Sequence, residues 1–297
     1  MLDTIRLSTL LKAVRAAGAR LVLVGDEKQL PPIQGCAPFS EIGRRLGRTE
    51  LREIRRQKNG LLKMVVEQLA DGDVSKALKL LRHDKLLHVH GSDDAARQSL
   101  VADWFKAKGD RLMLASTRED VADLNRRAHQ LRKVKGELGL PMFSKEGTVF
   151  TRDWTWFRMH ERLMFTRNDR KLGVQNGTIG MLIGFNPVSR IATIQVDQRK
   201  VFVPIDKYRH FDLAYCLTVH KAQGATVDRA FVLWGDSMQS REMTYVQASR
   251  ARYETRFYLT KEQAGHDFQD ALQDMERTVT REMAVTKERG VNLSPSI

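Results

Sequence analysis

Four short stretches of this chain hold side chains suited to gripping phosphate. The first is "GDEKQL" at 25–30, where Asp26 and Gln29 follow the apolar run "LVLV". An amide such as Gln29 can orient a water or bond a phosphate oxygen. Ligands of open α/β folds sit at such carboxyl strand ends. The alternative is an ordinary strand-to-loop turn stopped by Pro31 and Pro32. The second stretch, "ELREIRRQ" at 50–57, sets Arg55 beside Arg56. An arginine fork can reach a terminal phosphate and neutralise developing charge, or it can belong to a solvated basic edge.

The third stretch, "LTVHKAQGAT" at 217–226, crowds Thr218, His220, Lys221, Gln223 and Thr226 around Gly224. Glycine permits close backbone approach. Small hydroxyls, an amide and a cation suit a phosphodiester backbone held without reading bases. A buried core helix fits poorly, because five polar side chains in ten residues are too many to bury. The fourth, "YVQASRAR" at 245–252, places Arg250 and Arg252 after a helix-like start. Arg250 is either a second phosphate-facing arginine or a basic residue at the negative end of a helix dipole.

These stretches need elements to position them. Leu7, Leu10, Leu11 and Val14 have the spacing of a helix with one buried face, and "LVLVG" reads as a buried parallel strand. "LLKMVVEQLA" and "VSKALKLLR" read as two helices split by "DGD". "LLHVH" is a strand, and Ser92 caps a helix through "DDAARQSLVADWFKA". "RLMLAST" is a second buried strand before the long basic helix "REDVADLNRRAHQLRKVK". Strand–helix alternation predicts an α/β domain with a parallel sheet.

Between about 148 and 210 the pattern changes to short strands, "RLMFT", "TIGMLIGF", "IATIQV" and "KVFVPI", separated by turn signals. That predicts a small β-barrel inserted in the α/β domain. Helix–strand alternation returns with "HKAQGATVDRAFVLWG" and "MTYVQASRARYETRFYLT". Residues 263–297 read as a polar tail, helical at first.

Composition agrees with a globular protein: 42% hydrophobic and 29% charged residues over 297 positions. A net charge of +14 favours a polyanionic partner, because phosphate neutralisation releases counterions. No apolar run reaches the ~20 residues that span a bilayer, so no membrane partner is expected. Cys36 and Cys216 have neither zinc nor disulfide spacing, which suits a reducing cytoplasm.

Taken in order, Gly-Asp-x-x-Gln, Arg-Arg-Gln, His-Lys-x-Gln-Gly and Ser-Arg-Ala-Arg resemble the superfamily 1 DNA helicases of the RecD/TraI-like branch. Within it, the chain looks most like the helicase part of TraA-type conjugative relaxases, over residues 1 to about 260. "LASTREDVADLN" and "RLMFTRNDRKLGVQNGTIG" fit as well, the second resembling that family's SH3-like barrel. The resemblance implies RecA-like P-loop NTPase-type sheets. The end of a first domain would occupy 1–58, a second domain 59–147 with 211–262, and the barrel 148–210. It implies Gln29 as γ-phosphate sensor with Asp26 in its motif. Arg56, with Arg55 as competitor, and Arg250 would be the arginine fingers. It further implies that Thr218, His220, Lys221 and Gln223 join the DNA groove to the nucleotide site, with Gly224 on the nucleotide side and Thr226 on the DNA side. ATP, Mg²⁺, single-stranded DNA and 5′-to-3′ movement follow by the same likeness.

The phosphate-cradling G-x-x-x-x-G-K-[ST] loop does not occur in this sequence, and Asp26-Glu27 in "GDEK" has the wrong context for an Asp-Glu pair that holds Mg²⁺ and positions water. In the family both motifs precede "LVLVGD", so the expectation is an N-terminally truncated helicase, inactive by itself, whose partner is the remaining part. The alternative is a non-enzymatic single-strand-binding module. His83, His88 and His90 lack acidic or cysteine partners at ligand spacing, and are expected at surface or strand positions. Trp154, Trp156 and Phe157 offer base stacking or core packing. "RRAHQLRKVK" at 126–135 can follow a backbone or form a solvated helix face.

Overall fold

The computed structural model describes residues 4–30, 38–51, 53–144, 156–235 and 238–278, the side chains of Ser144 and Trp156 excepted. Helices α1 (Thr4–Ala16), α2 (Pro38–Leu46), α3 (Gly60–Asp71) and α4 (Val74–His83) come first. Then β1 (Leu87–His90), α5 (Asp93–Lys106), β2 (Arg111–Ala115) and α6 (Arg118–Val134) alternate. A run of strands follows: β3 (Pro141–Ser144), β4 (Trp156–Arg158), β5 (Arg162–Phe165), β6 (Ile179–Asn186), β7 (Ile191–Val196), β8 (Arg199–Pro204), β9 (Phe211–Leu213) and β10 (Cys216–Thr218). The last elements are β11 (Val227–Leu233), α7 (Arg241–Ala248), β12 (Ala251–Thr260), α8 (Lys261–Ala264) and α9 (Gln269–Glu276).

Period-two alternation builds the parallel sheet, ordered β1-β12-β11-β2-β10. Leu112, Leu114, Ala230 and Val232 face α3, α4 and α7 in one core. Their neighbours Met113, Ala115, Phe231 and Leu233 face α5 and α6 in another. Both faces are covered, as parallel sheets require. Hydroxyl side chains cap α5 and α6, Ser92 as expected and Thr117 in addition. Ser92 Oγ accepts from the Ala95 amide at 3.3 Å, and Thr117 Oγ1 from the Asp120 amide at 3.0 Å. The "DGD" break works through Gly72, at φ 84°, and Asp73, which caps α4. Such a cap is worth about 1 kcal/mol.

The β-rich insert is an antiparallel sheet ordered β8-β7-β6-β5-β9. It carries its own aromatic core around Phe165 and Phe211, whose rings lie 5.2 Å apart. Gly180 is needed there: a Cβ would meet the Gln195 carbonyl oxygen at 2.7 Å. A buried polar cluster ties this sheet to α6. The Glu161 carboxylate is fully buried, 3.1 Å from His129 Nδ1. It accepts from the Tyr215 hydroxyl at 2.9 Å, and that hydroxyl in turn accepts from Arg132 at 2.7 Å. Burial beside Glu161 pushes the Tyr215 phenol far above its ordinary range.

Three sequence expectations need correction. "LVLVG" is not a strand: residues 21–25 run outside any described sheet, with Val22 and Val24 81% and 90% exposed. A continuous apolar run is buried only when neighbouring strands and covering helices flank it, and no described strand pairs with it. Likewise α1 forms at the expected place, but of its apolar stripe only Leu7 is buried. "HKAQG" makes successive turns and not a helix, since Gly224 takes φ 86°, outside helical space. Trp154, Pro31, Pro32 and Cys36 lie outside the described residues, as do 279–297 of the tail. The part of the tail that is described packs as α8 and α9, with Ala271 and Met275 buried in the core.

Candidate functional site

The "GDEKQL" loop folds around its own aspartate. Asp26 Oδ1 accepts the Lys28 amide at 3.0 Å, a local turn that aspartate favours. Asp26 Oδ2 accepts from the Gln29 side chain at 3.1 Å. The same oxygen accepts from the Tyr245 hydroxyl at 3.0 Å. Tyr245 lies on α7, 219 residues away, so this one carboxylate joins the loop to the helix leading into Arg250. Next to Gln29, Leu30 is buried in the main core, anchoring the loop from below.

Arg250 is the largest fully buried side chain among the described residues, 1% exposed. Its guanidinium donates to the Val246 carbonyl at 2.9 Å and to Ser249 Oγ at 2.7 Å. Arg56 approaches from the other side, donating to the Ser249 carbonyl at 2.8 Å. Beside it, buried Gln57 donates to the carbonyls of Ser249 and Ala251 at 3.1 and 3.0 Å. Burial, then the like charge of Arg56, pulls the Arg250 pKa down to about 10. Neither arginine has a carboxylate in ion-pair range among the described residues. Arg55, by contrast, turns outward to Glu53 at 2.7 Å. Arg250 feels the Asp26 carboxylate only at longer range, and the Arg250–Arg56 pair leaves an excess of positive charge that a phosphate group would offset. Among the described residues no cluster of three or more His, Cys, Asp or Glu could hold a metal ion.

The 217–226 stretch forms part of a second site. Strands β2, β10 and β11 end at the rim of a cleft of about 1700 Å³. Thr218, His220 and Lys221 line it, while Gln223, Gly224 and Thr226 stand just beyond that lining. Thr218 Oγ1 accepts the Lys221 amide at 3.3 Å, fixing the turn. Burial lowers the His220 pKa below its ordinary value. One wall is α6, with Arg118, Arg126 and Gln130; the other is the antiparallel sheet, with Met164, Thr166, Asn176 and Phe211. Phe157 lines the cleft too, although it is 95% withdrawn into the aromatic core at 5% exposure. The basic helix combines both roles. Arg127 pairs with Asp94 and Asp123 at 2.8 and 2.7 Å and Arg126 with Asp123, and both arginines line the cleft with Gln130, while Arg132 pairs with Glu137 at 2.8 Å.

One hydrogen bond joins the two sites: the Val227 amide, directly after Thr226, donates to the Arg250 carbonyl at 3.1 Å. Sequence reasoning missed Tyr245 and Gln57 as site members, although both lie inside or beside quoted stretches. The available signal was a polar side chain adjoining Arg56 in one case and five residues before Arg250 in the other. The histidines fall where expected. His83 pairs with Asp84 at 2.7 Å, and His88 stacks on Tyr258 at 4.7 Å.

Comparison with known proteins places these features in context. A family model described as an AAA domain matches residues 1–92. The conjugal transfer protein TraA of Agrobacterium fabrum is 37% identical over 254 residues, covering 83% of this chain and 22% of that protein. The RecBCD enzyme subunit RecD of Mycobacterium tuberculosis is 26% identical over 276 residues, covering 86% of this chain and 47% of its own. The chain thus spans 22% of one relative and 47% of the other. Among solved structures, a Pif1 helicase from Bacteroides in complex with ADP-AlF3 and ssDNA superposes with a TM-score of 0.53. It is 17% identical and covers 92% of this chain and 73% of its own, a likeness of fold. No described helix is long and apolar enough to cross a membrane.

Proposed function

We propose that this superfamily 1 helicase-like chain, a relative of the TraA conjugal transfer proteins and of RecD, supplies the phosphate-sensing and DNA-holding half of a motor. That motor moves 5′ to 3′ along single-stranded DNA by hydrolysing ATP. The carrying observation is the Val227–Arg250 hydrogen bond, 3.1 Å long, between the cleft segment and the buried arginine.

Arg250, Arg56 and Gln29 would receive the γ-phosphate. ATP, when bound, supplies the phosphoryl group whose transfer releases free energy; Mg²⁺ is implied by the family alone. The chain's own part is electrostatic. Arg250 and Arg56 repel each other, and an incoming anion converts that repulsion into attraction for negative charge spread over a phosphoryl group. Gln29 would orient the attacking water, held by Asp26 at 3.1 Å. Asp26 in turn is held by Tyr245 at 3.0 Å, which keeps sensor and finger helix in register. A shift of Arg250 on phosphate binding would pull on Val227 and thereby on Thr218 to Thr226. In the cleft, Thr218 and Lys221 would hold the backbone and His220 would approach a phosphate.

The sequence has no G-x-x-x-x-G-K-[ST] loop, so ATP turnover is expected only together with a nucleotide-holding element. This feature also favours the second reading, a single-strand-binding module without catalysis. Anisotropy of a fluorescent oligo(dT), titrated with and without ATP, separates the two. Affinity that changes with ATP in wild type but not in Arg250→Met supports the motor, and affinity indifferent to ATP supports the module.

A further inference from the structure

The cleft does not end at the residues of the four quoted stretches. Arg277 and Thr278, at the end of α9, line it as well. This helix is no loose appendage. Ala271 and Met275 are fully buried, and Trp234, at the end of β11, donates its indole N–H to Asp274 at 3.1 Å. The chain beyond α9 is then fixed at both peptide groups of Arg277. Its amide donates to Gln273 at 3.2 Å, and its carbonyl accepts the Arg241 amide at 2.8 Å. Arg241 is the first residue of α7, the helix that leads into Arg250.

The side chain is therefore held at the rim by a rigid backbone. Its guanidinium pairs with Asp274 at 2.9 Å, yet the side chain stays 49% exposed. Asp274 itself is mostly withdrawn, at 13%, and shares its carboxylate with Trp234. One edge of the fork is thus oriented by Asp274, and the exposed remainder, at the cleft lining, offers further N–H donors in the planar geometry that matches a phosphate. We propose that Arg277 is a backbone-phosphate contact for single-stranded DNA, and that α9 extends the nucleic-acid track beyond the helicase motifs. The inference rests on the reading that the cleft takes single-stranded DNA.

The test is binding of the full chain to fluorescent oligo(dT) across a salt series, in Arg277→Gln, Arg277→Lys, Lys221→Ala and Lys79→Gln variants. Lys79 lies exposed on α4, outside the cleft lining, and serves as a charge control. Arg277→Gln is expected to weaken binding about three- to tenfold and to lower the salt slope by about 0.7, the value for one phosphate of a single strand. Arg277→Lys retains the slope, and Lys79→Gln changes neither quantity. Wild-type affinity and slope in Arg277→Gln, with Lys221→Ala weakened, overturn the role of Arg277 while leaving the cleft reading intact. An equal loss in Lys79→Gln overturns it as well, because the effect is then general charge. If neither Lys221→Ala nor Arg277→Gln alters binding, the cleft reading itself fails.

Discussion

Tyr245 and Asp26, 219 residues apart in sequence, meet through a 3.0 Å hydrogen bond from hydroxyl to carboxylate. The same Asp26 oxygen receives the Gln29 amide at 3.1 Å. Burial and the neighbouring carboxylate push the Tyr245 phenol above its ordinary range, so it stays a donor at neutral pH. Tyr245→Phe removes one bond to a charged acceptor worth about 1.5 kcal/mol. Hydrogen exchange of the 26–30 amides should then quicken about tenfold. Asp26→Asn should do the same, and the double variant should be less than additive. Unchanged exchange in Tyr245→Phe would remove Tyr245 from the site.

Arg250 is a buried cation beside another cation. Its pKa is pulled down to about 10, which corresponds to roughly 3 kcal/mol of unfavourable electrostatics. Above pH 10 the unfolded chain binds more protons at this group than the folded chain, so the penalty is present in full below pH 10 and fades as pH rises through that value. An apolar side chain of similar length should escape it. Arg250→Met is expected to keep or raise the thermal midpoint, by urea or heat, while abolishing any stabilisation by added pyrophosphate. A midpoint lowered by ten degrees would mean that Arg250 is a structural residue.

His220 titrates in the accessible range. Burial lowers its pKa in the folded chain, so its ring is neutral at pH 7 and the unfolded chain takes up its proton first as pH falls. The stability it contributes is therefore present above pH ~6.5 and declines below it. A phosphate beside the ring has the opposite effect and favours the imidazolium. Single-strand affinity should rise as pH drops from 7 to 5.5, up to severalfold, and His220→Gln should flatten that rise. A pH profile identical in the two proteins would place His220 away from the DNA.

Glu161 fastens the antiparallel sheet to α6 through His129 and Tyr215, at 3.1 and 2.9 Å. Glu161→Ala leaves two buried partners unsatisfied, at a cost of about 2–4 kcal/mol. Urea denaturation should register that loss, together with a widened cleft and weaker oligo(dT) binding. A change within 0.5 kcal/mol would show that the cluster does not set the position of the sheet.

Much of the fold was legible because local rules and tertiary environment agree. The runs at 111–115 and 227–233 are apolar on both faces, and helices cover both. Ser92 and Gly72 punctuate helices by chemistry that needs no distant partner. "LVLVG" failed for the complementary reason: an apolar run states a demand for neighbours, and only other strands can meet it. At the site, the sequence singles out Gln29, Arg56 and Arg250 as candidates for phosphate contact. It sets Arg56 only narrowly ahead of Arg55, and the fold turns Arg56 toward Ser249 and Arg55 toward Glu53. The Tyr245–Asp26 bond and the return of Arg277 to the cleft depend on contacts across the whole chain, which no spacing encodes.

The central claim is that the cleft at the ends of β2, β10 and β11 holds single-stranded DNA by its backbone. Its most direct test is the salt dependence of oligo(dT) binding by wild type and Lys221→Ala. The account predicts log affinity falling linearly with log salt in wild type, and a slope reduced by about 0.7 in the variant. Binding whose slope is the same in both proteins, or no binding at 50 mM salt, would contradict it.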